Sequence, residues 1–159
     1  RGLWDRIFPK FNIWQQSIRR QYPVHEIFVC ERYFAFRVPP KRLPCLRGHV
    51  QELMKPWPDA KVSGNHEWVF VVHGHFSKGR LLQEFAAHDG YERSEILTIG
   101  DGYNDLSMLD QSVAGTCGCP SDAAEEVQAA VRSHSGIIAK APGPMGTAEI
   151  IQKIYSRDP

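Results

Sequence analysis

Long apolar runs are missing from this sequence of 159 residues, and so is an excess of charge of one sign. No run approaches the roughly 20 apolar residues that a transmembrane helix needs, and the amino terminus lacks the apolar stretch of a secretory signal. The 19 basic and 18 acidic residues leave a formal net charge of +1, whereas nucleic-acid and membrane-surface binding usually needs clustered basic residues in excess of acids. We therefore expect no nucleic-acid partner, no membrane partner and a cytoplasmic location.

Cysteines are also scarce, since only Cys30, Cys45, Cys117 and Cys119 are present. They are too few and too unevenly placed for a disulfide framework. The pair Cys117 and Cys119 lacks both the usual zinc spacing and a second pair downstream. We expect four free thiols in a globular protein, because 42% hydrophobic residues in a chain of this length can bury a core.

The first 75 residues predict a small α+β domain in the order helix, strand, strand, helix, strand, strand. Apolar residues three and four apart predict the first helix, and β-rich runs predict two hairpins, each expected to end at a proline or a turn residue. We expect helices over an antiparallel sheet. The predicted elements are a helix with Phe11, Trp14, Ile18 and Tyr22, strands 24–30 and 33–38 joined by Glu31 and Arg32, a helix over 44–55, and strands 60–63 and 67–72 turning at Gly64 and Asn65.

Residues 76–159 have a different rhythm, in which helices and short apolar strands alternate. This alternation is typical of parallel βαβ units. Ser77 is expected to cap the first of these helices, and Gly90 to follow its end. The predicted elements are helix 78–88, strand 95–99, a helix beginning near Asn104, strand 112–116, helix 122–131, strand 137–139 and helix 147–155.

The segment Gly100-Asp101-Gly102-Tyr103-Asn104-Asp105 carries the most chemical information. It follows a predicted parallel strand, and ligands of open α/β sheets bind at the carboxyl ends of such strands. Two carboxylates and an amide within five residues supply the oxygen ligands that Mg²⁺ prefers. Simple turn and helix-cap chemistry is the alternative, because Asp-Gly and Asn-Asp pairs are common in both.

Three other phosphate- or metal-binding motifs do not fit this segment. A helix-loop-helix calcium site would need glycine and glutamate where Leu106 and Ser112 stand. The dinucleotide fingerprint would need glycine in place of Asp105, and the phosphate-binding loop of nucleotide hydrolases has no match in the sequence.

Together with Ser77-Lys78-Gly79 at the start of the preceding helix, this hexapeptide resembles the third and fourth motifs of haloacid dehalogenase-type phosphatases. The resemblance implies a partial Rossmann-like parallel core over 76–159 and an α/β cap domain over 1–75, as in sucrose-phosphate and mannosyl-phosphoglycerate phosphatases. It implies that Lys78 neutralises the phosphoryl group, that Asp101 binds Mg²⁺ and that Asp105 completes the metal site through water. Asn104 would orient this network or contact phosphate. The expected substrate is a small phosphorylated metabolite such as a sugar phosphate.

The family's first motif, Asp-x-Asp-x-Thr/Val, carries the nucleophile and is absent from this sequence. Because the sequence begins at Arg1 within or just before the cap, we expect a fragment that is inactive alone and binds Mg²⁺ weakly or not at all. Without a nucleophile there is no route through an aspartyl-phosphate. The alternative is a natural non-catalytic protein, or half of a split enzyme, that pairs with a partner through the exposed edge of its core sheet.

Several other side chains suggest less. Many relatives have an Asn-Ala pair where this chain has Asp122-Ala123, so we expect Ser121 or Asp122 to cap the following helix instead. His73 and His75 are expected on one face of a strand, and with His66 they suit a surface or interface role, because the predicted metal prefers oxygen. The aromatic residues Trp57, Trp68 and Phe70 are expected in the cap core.

Overall fold

The computed structural model describes residues 2–31 and 33–156, so the Arg32 half of the predicted first hairpin turn lies outside the described residues. The chain forms two compact units, residues 1–76 and residues 77–159. One contains an antiparallel sheet of four strands and the other a parallel sheet of three. The predicted α/β class, comprising a parallel sheet in one unit and a small α+β arrangement in the other, is confirmed.

The first unit has the predicted order of elements, and its strands lie in the sheet order β1-β2-β4-β3. Its core contains an aromatic cluster, in which Phe11 of the first helix packs against Phe34 and Phe36 of the second strand at ring-centroid distances of 4.7 and 5.9 Å. The burial of Trp57 is confirmed, while Trp68 and Phe70 are only half-buried. The elements are α1 (Leu3–Gln21), β1 (Glu26–Cys30), β2 (Tyr33–Arg37), α2 (Leu43–Met54), β3 (Ala60–Asn65) and β4 (Trp68–His73).

Two predictions for the first unit are wrong in detail. The second hairpin turns at His66 and Glu67 rather than at Gly64 and Asn65, because Asn65 still pairs with Trp68 in the ladder. His66 adopts a φ of 51° there, a left-handed conformation in which histidine is more frequent than most residues.

His73 and His75 do not share a strand face either. β4 ends at His73 and is followed by a 3-10 turn over Gly74–Phe76. The ring Nδ1 of His73 accepts the backbone N–H of His75 at 3.1 Å, which this turn makes possible.

The second unit alternates helices and short parallel strands, as predicted. Its strands lie in the order β5-β6-β7. The last two helices contribute Val127, Val131 and Ile150 to the core, and all three are fully buried. Ser77 Oγ accepts the N–H of Arg80, and Gly90 ends the first helix at a φ of 79°, so both predicted caps are confirmed. The elements are α3 (Lys78–Asp89), β5 (Leu97–Ile99), β6 (Thr116–Cys119), α4 (Glu125–Ser133), β7 (Ile137–Ile138) and α5 (Gly143–Tyr155).

The segment between β5 and β6 differs most from the prediction. It forms successive turns instead of a helix beginning near Asn104, and β6 starts at Thr116 rather than Ser112. Its backbone bonds reach back to two aspartates, since Asp105 O accepts the N–H of Met108 and Asp110 O that of Val113. The apolar residues of this segment are spaced as in a helix, but its backbone hydrogen bonds close only single turns.

Within the described ranges 2–31 and 33–156, every helix is too short or too polar to span a bilayer.

Candidate functional site

The carboxyl ends of β5 and β6 open into a cavity of about 510 Å³ within the second unit. Ile99, Gly100 and Asp101 leave β5 into this cavity, and Pro120 follows β6. Parallel strands place their carboxyl ends along one edge of a sheet, which is where open α/β sheets bind ligands. The other lining residues are Lys78, Asp105, Met108, Gly143, Pro144 and Thr147.

Asp105 holds the turn that follows β5. Its side chain is buried, and its Oδ2 accepts the backbone N–H groups of Asp101 and Gly102, both at 3.1 Å. Gly100 makes room for this carboxylate, because a Cβ at position 100 would lie 2.4 Å from the Asp105 Cβ. The glycine-aspartate pattern thus has a steric reason as well as a chemical one.

Lys78 meets the same carboxylate from the start of α3. Its Nζ donates to Asp105 Oδ1 at 2.5 Å, and the lysine side chain is 51% exposed whereas that of Asp105 is 5% exposed. The ammonium group is therefore fixed at its inner side by a buried anion, while part of it faces solvent. Such a lysine can attract a phosphoryl group without losing its anchor.

Asp101 presents the exposed carboxylate of the site. Its backbone carbonyl accepts the N–H of Ala124 at 2.9 Å, which ties the turn to the start of α4. The structure thus brings Lys78, Asp101 and Asp105 to one cavity, whereas Asn104 is half-buried in the turn and is not among the lining residues described. Within the described residues, no three side chains of His, Cys, Asp or Glu are close enough to form a metal site by themselves.

The loop before α5 forms the wall that sequence reasoning missed. Asp122 Oδ1 accepts the backbone N–H of Gly143 at 2.8 Å, and Glu149 Oε2 accepts those of Lys140 and Ala141 at 2.8 and 3.1 Å. The predicted capping of α4 by Ser121 or Asp122 is wrong, because this helix begins after Ala124 and has no side-chain cap. The sequence near Asp122 gives no local signal for its bond to Gly143, because the two residues are far apart in the chain.

Residues 17–137 match the family described as haloacid dehalogenase-like hydrolase. The chain belongs to this family. Its resemblance to phosphatases is also shown by two curated relatives and by solved structures.

A phosphoglycolate phosphatase of the archaeon Aeropyrum pernix is 44% identical over 77 residues, which cover 48% of this chain and 30% of that protein. A pyridoxal phosphate phosphatase of Escherichia coli is 30% identical over 91 residues, which cover 57% of this chain and 30% of the relative. The match thus spans about a third of the length of these relatives.

The crystal structure of a sucrose-phosphatase from Synechocystis, solved with sucrose and phosphate, superposes with a TM-score of 0.67 at 16% identity. The superposition covers 91% of this haloacid dehalogenase-like chain and 62% of the sucrose-phosphatase. At this identity the likeness concerns the fold.

Proposed function

We propose that this chain carries the metal- and phosphate-binding part of a Mg²⁺-dependent phosphatase that acts on a small phosphorylated metabolite, with a sugar phosphate as the leading candidate. The observation that supports it is the placement of Lys78 on the buried carboxylate of Asp105, beside the exposed carboxylate of Asp101, in one cavity. Phosphoryl transfer needs its negative charge to be neutralised. A lysine can do so directly, and an exposed carboxylate can do so by holding a metal ion.

The donor set of this cavity fits Mg²⁺. The ion takes oxygen ligands, keeps several waters and is commonly completed by substrate phosphate, so one or two carboxylates are enough from the protein. Asp101 would hold the ion directly. Asp105 would act through water, because its Oδ1 already accepts from Lys78 and its Oδ2 from two backbone N–H groups. When bound, the metal would supply Lewis-acid stabilisation of charge on the phosphoryl oxygens.

Lys78 would bind the phosphoryl oxygens of the substrate. Its exposed side lets the ammonium group donate to a ligand while Asp105 keeps it in position. This arrangement needs no proton transfer, since Lys78 acts as a fixed positive charge as negative charge shifts in the transition state.

The substrate class rests on the relatives. The names of the two curated proteins refer to phosphoglycolate and pyridoxal phosphate, and the solved structure is a sucrose-phosphatase. All three names point to phosphate esters of small molecules. A small phosphorylated metabolite is therefore the class proposed for the protein that contains this chain.

The family's first motif has two aspartates separated by a single residue, and the first of them is the attacking carboxylate. No two aspartates have this spacing in the 159-residue sequence, so the attacking carboxylate is absent from it. We therefore expect this polypeptide alone to bind phosphate without hydrolysing its esters. The test measures Mg²⁺-dependent phosphate release from an aryl phosphate by this chain, and by a longer translation product of the same reading frame where the gene encodes one.

The expected result is turnover only in the longer product, abolished by Asp101→Ala and strongly reduced by Lys78→Met. Asp89→Ala is the matched control, because that carboxylate is paired with His88 at the end of α3 and should leave turnover unchanged. Hydrolysis by the short chain that disappears in Asp101→Ala would contradict the expected inactivity. A longer product that hydrolyses the ester equally with and without Mg²⁺ would contradict the metal assignment.

A non-catalytic binding role is the second candidate, and the free edge of β5 favours it. Among the described residues β5 pairs with β6 alone, so it is the edge strand of the parallel sheet. An unpaired strand edge is a template for another strand. Slowed amide exchange at residues 97–99 on mixing with a partner chain, without turnover in any longer product, would favour this role.

A further inference from the structure

A second, smaller cavity lies at the amino ends of β5 and β6, away from Asp101. It has a volume of about 240 Å³, and its polar lining comes from Arg93, Gln111, Gly115 and His134, with Cys117 at the start of β6. Arg93 precedes β5, Gly115 precedes β6 and His134 follows α4. The cavity and the candidate phosphatase site therefore lie at opposite ends of the same strands.

Two side chains that can carry positive charge are fixed in this cavity by one loop. Arg93 Nη1 donates to the carbonyl of Gln111 at 2.6 Å, and His134 Nδ1 lies 2.7 Å from the carbonyl of Leu109. A carbonyl can only accept, so His134 carries a proton on Nδ1 and keeps Nε2 for another partner. Arg93 uses one of five N–H donors in its bond to Gln111.

The lining offers little to repel an anion. Cys117 is 4% exposed and burial raises the pKa of its thiol, so that the sulfur stays uncharged at neutral pH. Asp110, in the same loop, lines a different groove, beside Ser77 and Arg80. Its pKa is lowered mainly by hydrogen bonds from Ser112 and also by an electrostatic interaction with His134, so this carboxylate already offsets part of the attraction of His134 for an anion. Asp110 Oδ1 accepts the backbone N–H of Ser112 at 2.8 Å. Among the described residues, no carboxylate lines the cavity.

We propose that this cavity is a binding site for a small oxyanion, inorganic phosphate or the phosphate group of a small ester. The remaining N–H donors of Arg93 and the side-chain amide of Gln111 can donate to its oxygens, and His134 Nε2 can do so once it carries a proton. Arginine is well suited to this role because its planar guanidinium matches the geometry of oxyanions. Binding here needs neither a metal nor Lys78, so it does not depend on the proposed phosphatase function.

The test follows backbone amide resonances of the chain during titration with sodium phosphate, with sodium chloride at matched ionic strength as reference and sodium acetate as a singly charged oxyanion. We expect saturable shifts at Gln111 and Gly115 with phosphate, weaker shifts with acetate and none with chloride. The same shifts should persist in Lys78→Met, which separates this cavity from the other site. Arg93→Gln should raise the dissociation constant at Gln111 and Gly115 about tenfold, because a charge-assisted hydrogen bond is lost.

Arg132→Gln is the matched control, because this arginine donates to Gln128 on α4 and does not line the cavity. It should leave the dissociation constant unchanged. The titration of the unaltered chain decides the question even if Arg93→Gln does not fold. Three results would show that Arg93 and His134 only hold the loop. The resonances of Gln111 and Gly115 could fail to shift with phosphate, or could shift equally with chloride. The phosphate dissociation constant measured at these resonances could also stay the same in a folded Arg93→Gln variant.

Discussion

Gly79 lies against Ser107, so that the start of α3 and the turn segment after β5 are in direct contact. The backbone N–H of Gly79 donates to Ser107 Oγ at 3.1 Å, and a Cβ at position 79 would lie 1.9 Å from the Ser107 carbonyl oxygen. Lys78 precedes this contact and Asp105 lies two residues before Ser107. The close approach therefore fixes the distance between the cation and its carboxylate.

Gly79→Ala should destabilise the second unit by about 1–3 kcal/mol, because the new methyl group overlaps backbone that cannot move aside as a side-chain tip would. Gly48→Ala is the control, since position 48 lies within α2 with no atom within 4 Å of an added Cβ. That change should stabilise by roughly 0.5–1 kcal/mol through helix propensity. Urea unfolding of both variants measures the difference, and equal effects at the two positions would contradict the steric explanation.

Asp105→Ala should cost roughly 1–3 kcal/mol of unfolding free energy, because it leaves the N–H groups of Asp101 and Gly102 without an acceptor. Lys78→Met should cost less than Asp105→Ala, because the buried Asp105 carboxylate keeps its two backbone N–H donors and only the ion pair with the half-exposed lysine is lost. Asp105→Asn, which keeps one acceptor oxygen, should fall between them. Denaturant titrations of the three variants provide the test, and a loss in Lys78→Met as large as in Asp105→Ala would show that the ion pair dominates.

Asp122→Ala should lower the unfolding free energy by about 0.5–1.5 kcal/mol, because the N–H of Gly143 loses its acceptor. Asp122→Asn retains an oxygen that can accept this bond and should remain within about 0.5 kcal/mol of the original chain. Comparison of the two by thermal unfolding checks whether the bond or the charge matters. A drop of the same size in Asp122→Asn would assign the effect to charge.

Glu149 should make stability depend on pH in the acid range. The hydrogen bond from Lys153, followed by the backbone N–H of Ala141, lowers the pKa of Glu149 from 4.5 to about 2. A carboxyl whose pKa is depressed by folding stabilises the folded state above its unfolded pKa, and this contribution is lost as the pH falls toward the folded pKa. The stability difference between the original chain and Glu149→Gln should thus be constant down to about pH 5 and shrink between pH 4.5 and 2.

Unfolding curves at a series of pH values measure this difference, with Lys153→Met as the companion variant. Lys153→Met removes the hydrogen bond from the lysine and should raise the pKa of Glu149 toward its ordinary value. The chemical shift of the Glu149 carboxyl group measures this pKa directly. A stability difference for Glu149→Gln that stays the same from pH 5 to pH 2.5 would contradict the pKa shift.

Most of the elements could be predicted because local signals and long-range packing agree. Ser77 and Gly90 bracket α3 as its cap and its left-handed end, and the apolar run at β5 is typical of a buried strand. The six-residue pattern from Gly100 to Asp105 indicated the candidate site, since two carboxylates so close in sequence stay close in any fold.

Contacts between distant segments could not be predicted. The bonds from Gly79 to Ser107 and from Gly143 to Asp122 join residues 28 and 21 positions apart, and nothing in the flanking sequence specifies either partner. The turns after Asn104 were misread as a helix because apolar spacing there is helical. The bonds accepted by the carbonyls of Asp105 and Asp110 are themselves helical in spacing, but each closes one turn and is not continued into the next.

The parallel sheet has ladders of three and two residue pairs, between β5 and β6 and between β6 and β7. So short a ladder shields few amides, whereas α4 and α5 bury Val127, Val131 and Ile150 completely. Slow amide exchange in the second unit should therefore be concentrated in these two helices rather than in its strands. The edge that carries Asp101 would then be the part of this unit that opens most readily, while the helices behind it remain closed.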